Sequence, residues 1–199
     1  MPAKQPSSYC HRPLWISMAG DPIIIVKYDR AWPDEFRHTA ASIRKAMGNA
    51  AIRIDHVGST AVPGLDAKPV IDIQVSVSSL VPDDSFRQPL EGLGFVFDGK
   101  NPDLTKRFFR EPPGTKRVHL HVRPAGSFDE QLNLLLRDYL RAHSEAALEY
   151  AKAKRKLALE FRNDREGYVL AKEPLIWSLL LRAHDWAQSS GWSPGRSDA

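Results

Sequence analysis

The sequence predicts an α+β protein, a mixed sheet flanked by helices with a run of helices at its C-terminal side. Three observations carry that reading. Residues 70–77 alternate Ile71, Ile73, Val75 and Val77 with Asp72, Gln74 and Ser76, the period of a strand with two unlike faces. Pro112-Pro113-Gly114 separates residues 104–110 from residues 118–122, as a tight turn between antiparallel strands would. Beyond Pro124 only helical patterns follow, with Ser127 or Asp129, Ser144 and Asp164 placed to cap them. Strands with helices first and helices alone afterwards define the class.

The elements follow in order. Residues 1–20 are rich in Pro, Ser and isolated polar residues and are expected to form a flexible tail. Residues 23–26 are a short apolar lead-in. Pro33 suits a first helical turn, and Phe36, Ala40, Ile43 and Met47 then recur at helical spacing until Gly48-Asn49. A strand is expected at 51–57, a loop with a possible helical turn at 58–69, and the strong strand at 70–77. A short helix at 82–93 ends at Gly92 and Gly94, and strands are expected at 95–97, 104–110 and 118–122. Helices are expected to about Ala142, to about Arg162, and after Asp164, with Pro174 marking a break or a new first turn before 175–188. Residues 189–199 are polar and read as a second flexible tail. The organisation is therefore a core at 21–125 and a helical part at 126–188 packed on it, with tails at 1–20 and 189–199.

Composition bounds the function. The 199 residues are 42% apolar and 26% charged, enough for a sizeable core. A formal net charge of +4 mildly favours anionic ligands and is too small for a dedicated nucleic-acid binder. Cys10 is the single cysteine, so no intramolecular disulfide forms. It lies in the polar leader without an activating neighbour and reads as a free thiol. No apolar run approaches the ~20 residues that span a bilayer, and the leader lacks a continuous apolar segment. A cytoplasmic protein without membrane contact is expected.

The chemistry concentrates between His56 and Val77. Gly58 permits close backbone approach to an anion, consecutive N–H groups after it can form a nest, and Ser59 and Thr60 add hydroxyls. Lys68 is near enough in sequence to neutralise a second oxygen. Asp72 sits in a strand whose other face is apolar, so its carboxylate either meets a partner, opens on a cleft or lies on a solvated face with Gln74 and Ser76. His119 and His121, two residues apart on a strand, can point to one side. Beside Asp72 they would make a two-imidazole, one-carboxylate cluster suited to Zn, Mn or Fe; apart from it they are hydrogen-bonded residues on a polar sheet face. His56 is either a further nitrogen donor or a core histidine. Arg107 and Arg117 are candidates for phosphate contacts, whereas Lys106, Arg110 and the run Lys152-Ala153-Lys154-Arg155-Lys156 read as solvated faces.

A set of ordered motifs adds a resemblance. They are Tyr28-Asp29-Arg30-Ala31-Trp32-Pro33, Gly58-Ser59-Thr60-Ala61-Val62-Pro63-Gly64-Leu65 and Lys68-Pro69-Val70-Ile71-Asp72-Ile73. His119-Leu120-His121-Val122, Arg137-Asp138-Tyr139-Leu140-Arg141-Ala142-His143, and Tyr168 with Lys172 complete the set. With these, the stretch from Ile23 to Ala187 resembles the GrpB-like family, the UPF0157 group of the nucleotidyltransferase superfamily. The resemblance implies a nucleotidyltransferase-like sheet with a C-terminal helical part. It implies that Gly58-Ser59 and Asp72 are the first elements of a nucleotide and metal site. Joined to the reading of the residues, phosphate or nucleotide binding is expected of Gly58, Ser59, Thr60, Lys68 and Arg107, and catalysis and metal binding of Asp72, His119 and His121. In that superfamily a Gly-Ser loop holds a nucleoside triphosphate, two carboxylates one residue apart bind Mg²⁺, and a third comes from a neighbouring strand. Here Gln74 occupies the second carboxylate position, and the neighbouring strand offers His119 and His121.

Three functions stand open at this point: a nucleotidyltransferase acting on a nucleotide or other phosphorylated ligand, a non-catalytic anion-binding module with a degenerate active site, or a metal-assisted hydrolase. The expected cofactor is a divalent metal, Mg or Mn for the first function, Zn or another transition metal if the histidines bind it. The expected partner is a small phosphorylated molecule; nucleic acid is not expected.

Overall fold

The computed structural model describes residues 22–199; the leader at 1–20, with Cys10, lies outside the described residues. Helix α1 spans Trp32–Met47, β1 Arg53–Val57, β2 Ile71–Val77 and α2 Asp84–Gly92. Strands β3 (Val96–Phe97), β4 (Arg107–Arg110) and β5 (Val118–Pro124) precede α3 (Phe128–Ala142), α4 (Ser144–Glu160) and α5 (Arg165–Ser190). The strands form one five-stranded sheet in the order β1-β2-β5-β4-β3. β2 and β5 pair parallel, and the other pairs are antiparallel, including β4 with β5 across the Pro112–Gly114 turn. The α+β class with a mixed sheet and C-terminal helices is therefore as the alternation and capping patterns predict.

The sheet's two faces have different chemistry, and this places the site. Ile71, Ile73, Val75 and Val77 join Val118, Leu120 and Val122 in a core closed by Trp32, Phe36, Ala40 and Ile43 of α1 and Phe86 and Leu90 of α2. Ile43, Ile54, Ile73 and Leu120 are fully buried there, each contributing roughly 1.5–3 kcal/mol of hydrophobic stabilisation. The opposite face carries Asp55, Asp72, Gln74, Ser76, His119 and His121. Helix α3 lies over its middle, while α3, α4 and α5 form a second apolar cluster around Leu135, Tyr139, Leu140, Tyr150, Leu179 and Ala183. The polar face of the sheet lies beneath α3 at Gln74 and Ser76 and borders a cleft at Asp72 and His119.

Two expectations differ from the structure. Pro174 does not break the last helix: α5 runs unbroken through it, because a proline removes a single N–H and neighbouring turns hold the rest. The polar stretch at 189–199 is not a free tail. Ser189 and Ser190 complete α5, Trp192 Nε1 donates to Asp138 at 3.2 Å, and the final residues lie along β1. There the Ile54 N–H donates to Ser197 Oγ at 2.8 Å, the His56 N–H to Asp198 at 2.9 Å, and the Ala199 N–H to the Ile54 carbonyl at 3.1 Å. Arg137 binds Asp198 at 2.9 Å. A polar sequence suits this role, since an edge strand needs hydrogen-bond partners rather than apolar cover.

Candidate functional site

Register brings the expected cluster together. In the parallel β2–β5 pair Asp72 is opposite His119 and Gln74 is opposite His121, so all four side chains share one face. His119 Nδ1 lies 3.3 Å and His121 Nε2 3.5 Å from Asp72 Oδ1. One ligand atom from each of the three residues falls within 4.8 Å of the others. Burial pushes the Asp72 carboxyl upward, but hydrogen bonds from His119 and His121 outweigh it and hold the group far below the ordinary carboxylate range. Burial lowers His121 despite the carboxylate beside it, favouring the neutral imidazole that a metal requires. The outer nitrogens, His119 Nε2 and His121 Nδ1, are buried without a hydrogen-bond partner among the described residues. Two imidazoles and one carboxylate fit a transition ion with open positions toward solvent, and fit Mg²⁺ poorly.

Gln74 explains why the second carboxylate is missing. Its side chain is fully buried beneath α3, donating to the Glu130 carbonyl at 3.2 Å and accepting from Asn133 at 2.8 Å. The next polar residue on that face, Ser76, bonds the buried Glu130 carboxylate, which also accepts from the Gly126 N–H at 2.7 Å. Beyond Asp72 the polar face is therefore used to attach α3.

The loop behaves as its glycine suggests. Gly58 has φ +71°, and a Cβ there would meet Asp72 Oδ2 at 2.6 Å, so the backbone passes directly over the carboxylate. Ser59–Ala61 form a single 3₁₀ turn. The cleft beside it, about 310 Å³, is lined by Gly58, Ser59, Thr60, Lys68, Asp72 and His119 from the core, and by Tyr150, Lys154, Arg165, Tyr168 and Lys172 from α4 and α5. Lys154 donates to Ser59 Oγ at 2.8 Å. Lys68 and Lys172 stand 5.4 and 4.6 Å from the Tyr168 ring centroid, and Lys154 stands 4.4 Å from that of Tyr150. Burial, with Arg165 and Lys172 nearby, lowers Lys68 to about 8. Burial, with Lys172 and Lys68 nearby, lowers Lys154 to about 7.

Several candidates are placed differently from expectation. Thr60 is buried with its hydroxyl committed, donating to the Val70 carbonyl at 3.2 Å and lying 3.0 Å from His56 Nε2. His56 is the core histidine of the two alternatives, stacked on Phe36 at 4.8 Å and facing away from Asp72. Arg107 does not reach the cleft: it shares the core-side face of β4 with Phe109, and its guanidinium bonds the Leu104 and Lys106 carbonyls. Arg110, read as solvated, is the β4 arginine paired with His119. Arg117 is held by Glu111 at 2.6 Å. Lys154, read as part of an exposed basic face, is only 3% exposed. A signal for it existed: Ala147, Tyr150, Ala151, Lys154 and Ala158 lie at helical spacing on the buried stripe of α4.

The fold and cleft together define an α+β protein whose mixed sheet presents an imidazole–carboxylate cluster to a lysine-lined cleft walled by C-terminal helices. The chain belongs to the GrpB family, whose model, described as GrpB protein, matches residues 22–182. It is 41% identical over 173 residues to the UPF0157 protein PA4798 of Pseudomonas aeruginosa, covering 85% of this chain and 71% of that protein. It is 34% identical over 202 residues to a Mycolicibacterium paratuberculosis protein named dephospho-CoA kinase, covering 89% of this chain but 50% of that protein. The chain thus spans about half the length of that relative. The crystal structure of conserved protein GrpB from Enterococcus faecalis superposes with a TM-score of 0.75 at 26% identity, covering 83% of this chain and 99% of that one. Among the described residues no helix is long and apolar enough to cross a membrane.

Proposed function

We propose that this chain binds a nucleoside triphosphate or a similar phosphorylated small molecule in the cleft and acts on it as a nucleotidyltransferase with the help of a single divalent ion. The observation that carries the reading is convergence. The Gly58–Ser59 turn, the cations of Lys68, Arg165 and Lys172, the Lys154 amine, and Asp72 and His119 of the Asp72–His119–His121 cluster all border one cleft. Backbone N–H groups and ammoniums neutralise phosphate oxygens. A bound ion would supply Lewis acidity at a phosphoryl oxygen. Asp72, His119 and His121 would hold it, with Asp72 ionised and His121 neutral in readiness. The donor set favours Mn, Zn or Fe over the paired-Mg²⁺ arrangement, since Gln74 is spent on α3. The kinase activity named for the longer mycobacterial relatives is not part of this reading.

Thermal denaturation with each common nucleoside triphosphate, with and without Mg²⁺, Mn²⁺ or Zn²⁺, tests it. Stabilisation of about 2.7 kcal/mol is expected at a hundredfold excess over Kd. Absence of any nucleotide effect at millimolar concentration overturns the reading. Stabilisation without turnover favours the alternative of a binding module with a degenerate active site.

A further inference from the structure

We infer that Ser59 and Lys154 form a nucleophile–base pair, and that the chain carries a nucleoside monophosphate on Ser59 Oγ as a covalent intermediate. This rests on the nucleotide reading above and names the group of the chain that does the chemistry. The pair is built from opposite sides of the cleft, the hydroxyl on the turn after Gly58 and the amine on α4, joined at 2.8 Å. Ser59 is partly exposed to the cleft, while Lys154 is buried behind it. A serine hydroxyl is a weak nucleophile until an adjacent base takes its proton, and a desolvated lysine is such a base.

The surroundings favour an unprotonated Lys154. The groups facing it are Lys68 from the loop, Lys172 from α5, Asp72 from β2, and Tyr150 one turn earlier on α4. Burial and the two lysines act against its charge, and Asp72 acts for it. Burial lowers Lys154 to about 7, and it is the Lys154 Nζ that meets the Ser59 hydroxyl, which leaves Lys68 to hold phosphate. The cleft is cationic, so its electrophile is a phosphorus ester rather than a neutral acyl group. Gly58, the residue before Ser59, lies against Asp72, and Ser59 and Asp72 line the same cleft.

The step balances as a displacement. Lys154 Nζ takes the Ser59 hydroxyl proton, Oγ bonds to the α-phosphorus of the nucleoside triphosphate, and the bond from that phosphorus to the bridging oxygen breaks. Pyrophosphate leaves with the electron pair. An acceptor hydroxyl or water then attacks the same phosphorus, losing its proton to solvent, and Lys154 returns its proton to Ser59 as Oγ departs.

The experiment is acid-quenched intact-mass and peptide mapping of the whole chain after incubation with a nucleoside triphosphate and Mn²⁺, paired with exchange of labelled pyrophosphate into the triphosphate. The expected result is a mass increase of one nucleoside monophosphate located at Ser59, with exchange, both absent in Ser59→Ala. Lys154→Arg, which keeps charge but is too basic to accept the proton, should slow exchange about a hundredfold or more while nucleotide still stabilises the variant. Exchange should rise with pH through about 7, as Lys154 loses its proton. No adduct and no exchange in a protein that nucleotide still stabilises overturns the pair and leaves the nucleotide reading standing. An adduct on another residue, or exchange unaffected by Ser59→Ala, also overturns it. If no nucleotide stabilises the protein, both fall together.

Discussion

A Cβ placed on Gly58 would stand 2.6 Å from Asp72 Oδ2, so the turn that faces the ligand and the carboxylate beneath it are in direct contact. That contact, with φ at +71°, makes Gly58→Ala a test of both partners. The alanine must strain its backbone, at roughly 1–3 kcal/mol, and must push Asp72 away from His119 and His121. We expect a lower melting temperature and at least about tenfold weaker Mn²⁺ binding, a loss of roughly 1.4 kcal/mol, measured by titration calorimetry.

Removing one ligand should abolish the ion's effect without unfolding the chain. In Asp72→Asn and in His121→Ala, Mn²⁺ or Zn²⁺ is expected to give no thermal stabilisation, whereas both ions stabilise the parent protein. Undiminished metal binding in either variant would remove the metal site from the proposal.

Restoring the missing carboxylate should not restore paired-Mg²⁺ chemistry. Gln74 is fully buried and pairs with the Glu130 carbonyl and Asn133. Gln74→Glu exchanges a donor for a charge against that carbonyl and near the buried Glu130 carboxylate. We expect a loss of about 2–4 kcal/mol in urea denaturation and no gain in Mg²⁺ affinity. A gain would mean that α3 lifts away from the sheet.

His56 gives the fold an acid limit. Burial, reinforced by Arg141, lowers it to about 4 from 6.5. The unfolded chain therefore takes up a proton below about 6.5 that the folded one refuses until about 4. Stability from this residue is complete above the higher value and lost as the pH falls toward the lower, by on the order of 3 kcal/mol. His56→Leu should flatten the stability profile over that span, read from urea midpoints.

Anion affinity should move the opposite way with alkali. Lys68 binds phosphate oxygens best when charged, and burial with Arg165 and Lys172 nearby brings its proton loss down to about 8. Pyrophosphate binding followed calorimetrically is expected to weaken as the pH rises through about 8, with protons taken up on binding. A constant affinity would place the anion elsewhere.

Much of this site was readable in the residue order. The alternation in β2 and β5 put Asp72, His119 and His121 on polar faces, and a parallel register then joined them. The glycine and hydroxyls at 58–60 marked the turn. What the order left hidden is long-range. The basic run around Lys154 looks solvated because four of its five residues, Lys152, Ala153, Arg155 and Lys156, do not lie on the buried stripe. Only the packing of α4 against the turn after Gly58 shows which lysine is inside. Arg107 lies away from the cleft because one position along β4 reverses the face, and Arg110, on the other face, pairs with His119.

The strap formed by Ser197, Asp198 and Ala199 along β1 bears on how the molecule is made. Ile54 and Ser197 are 143 residues apart in the chain, so this is among the longest loops the fold must close. During synthesis the outer rim of the sheet stays open until those residues exist. Protection of the Ile54 and His56 amides from hydrogen exchange should therefore mark the end of folding, after the core around Ile73 and Leu120 has already set.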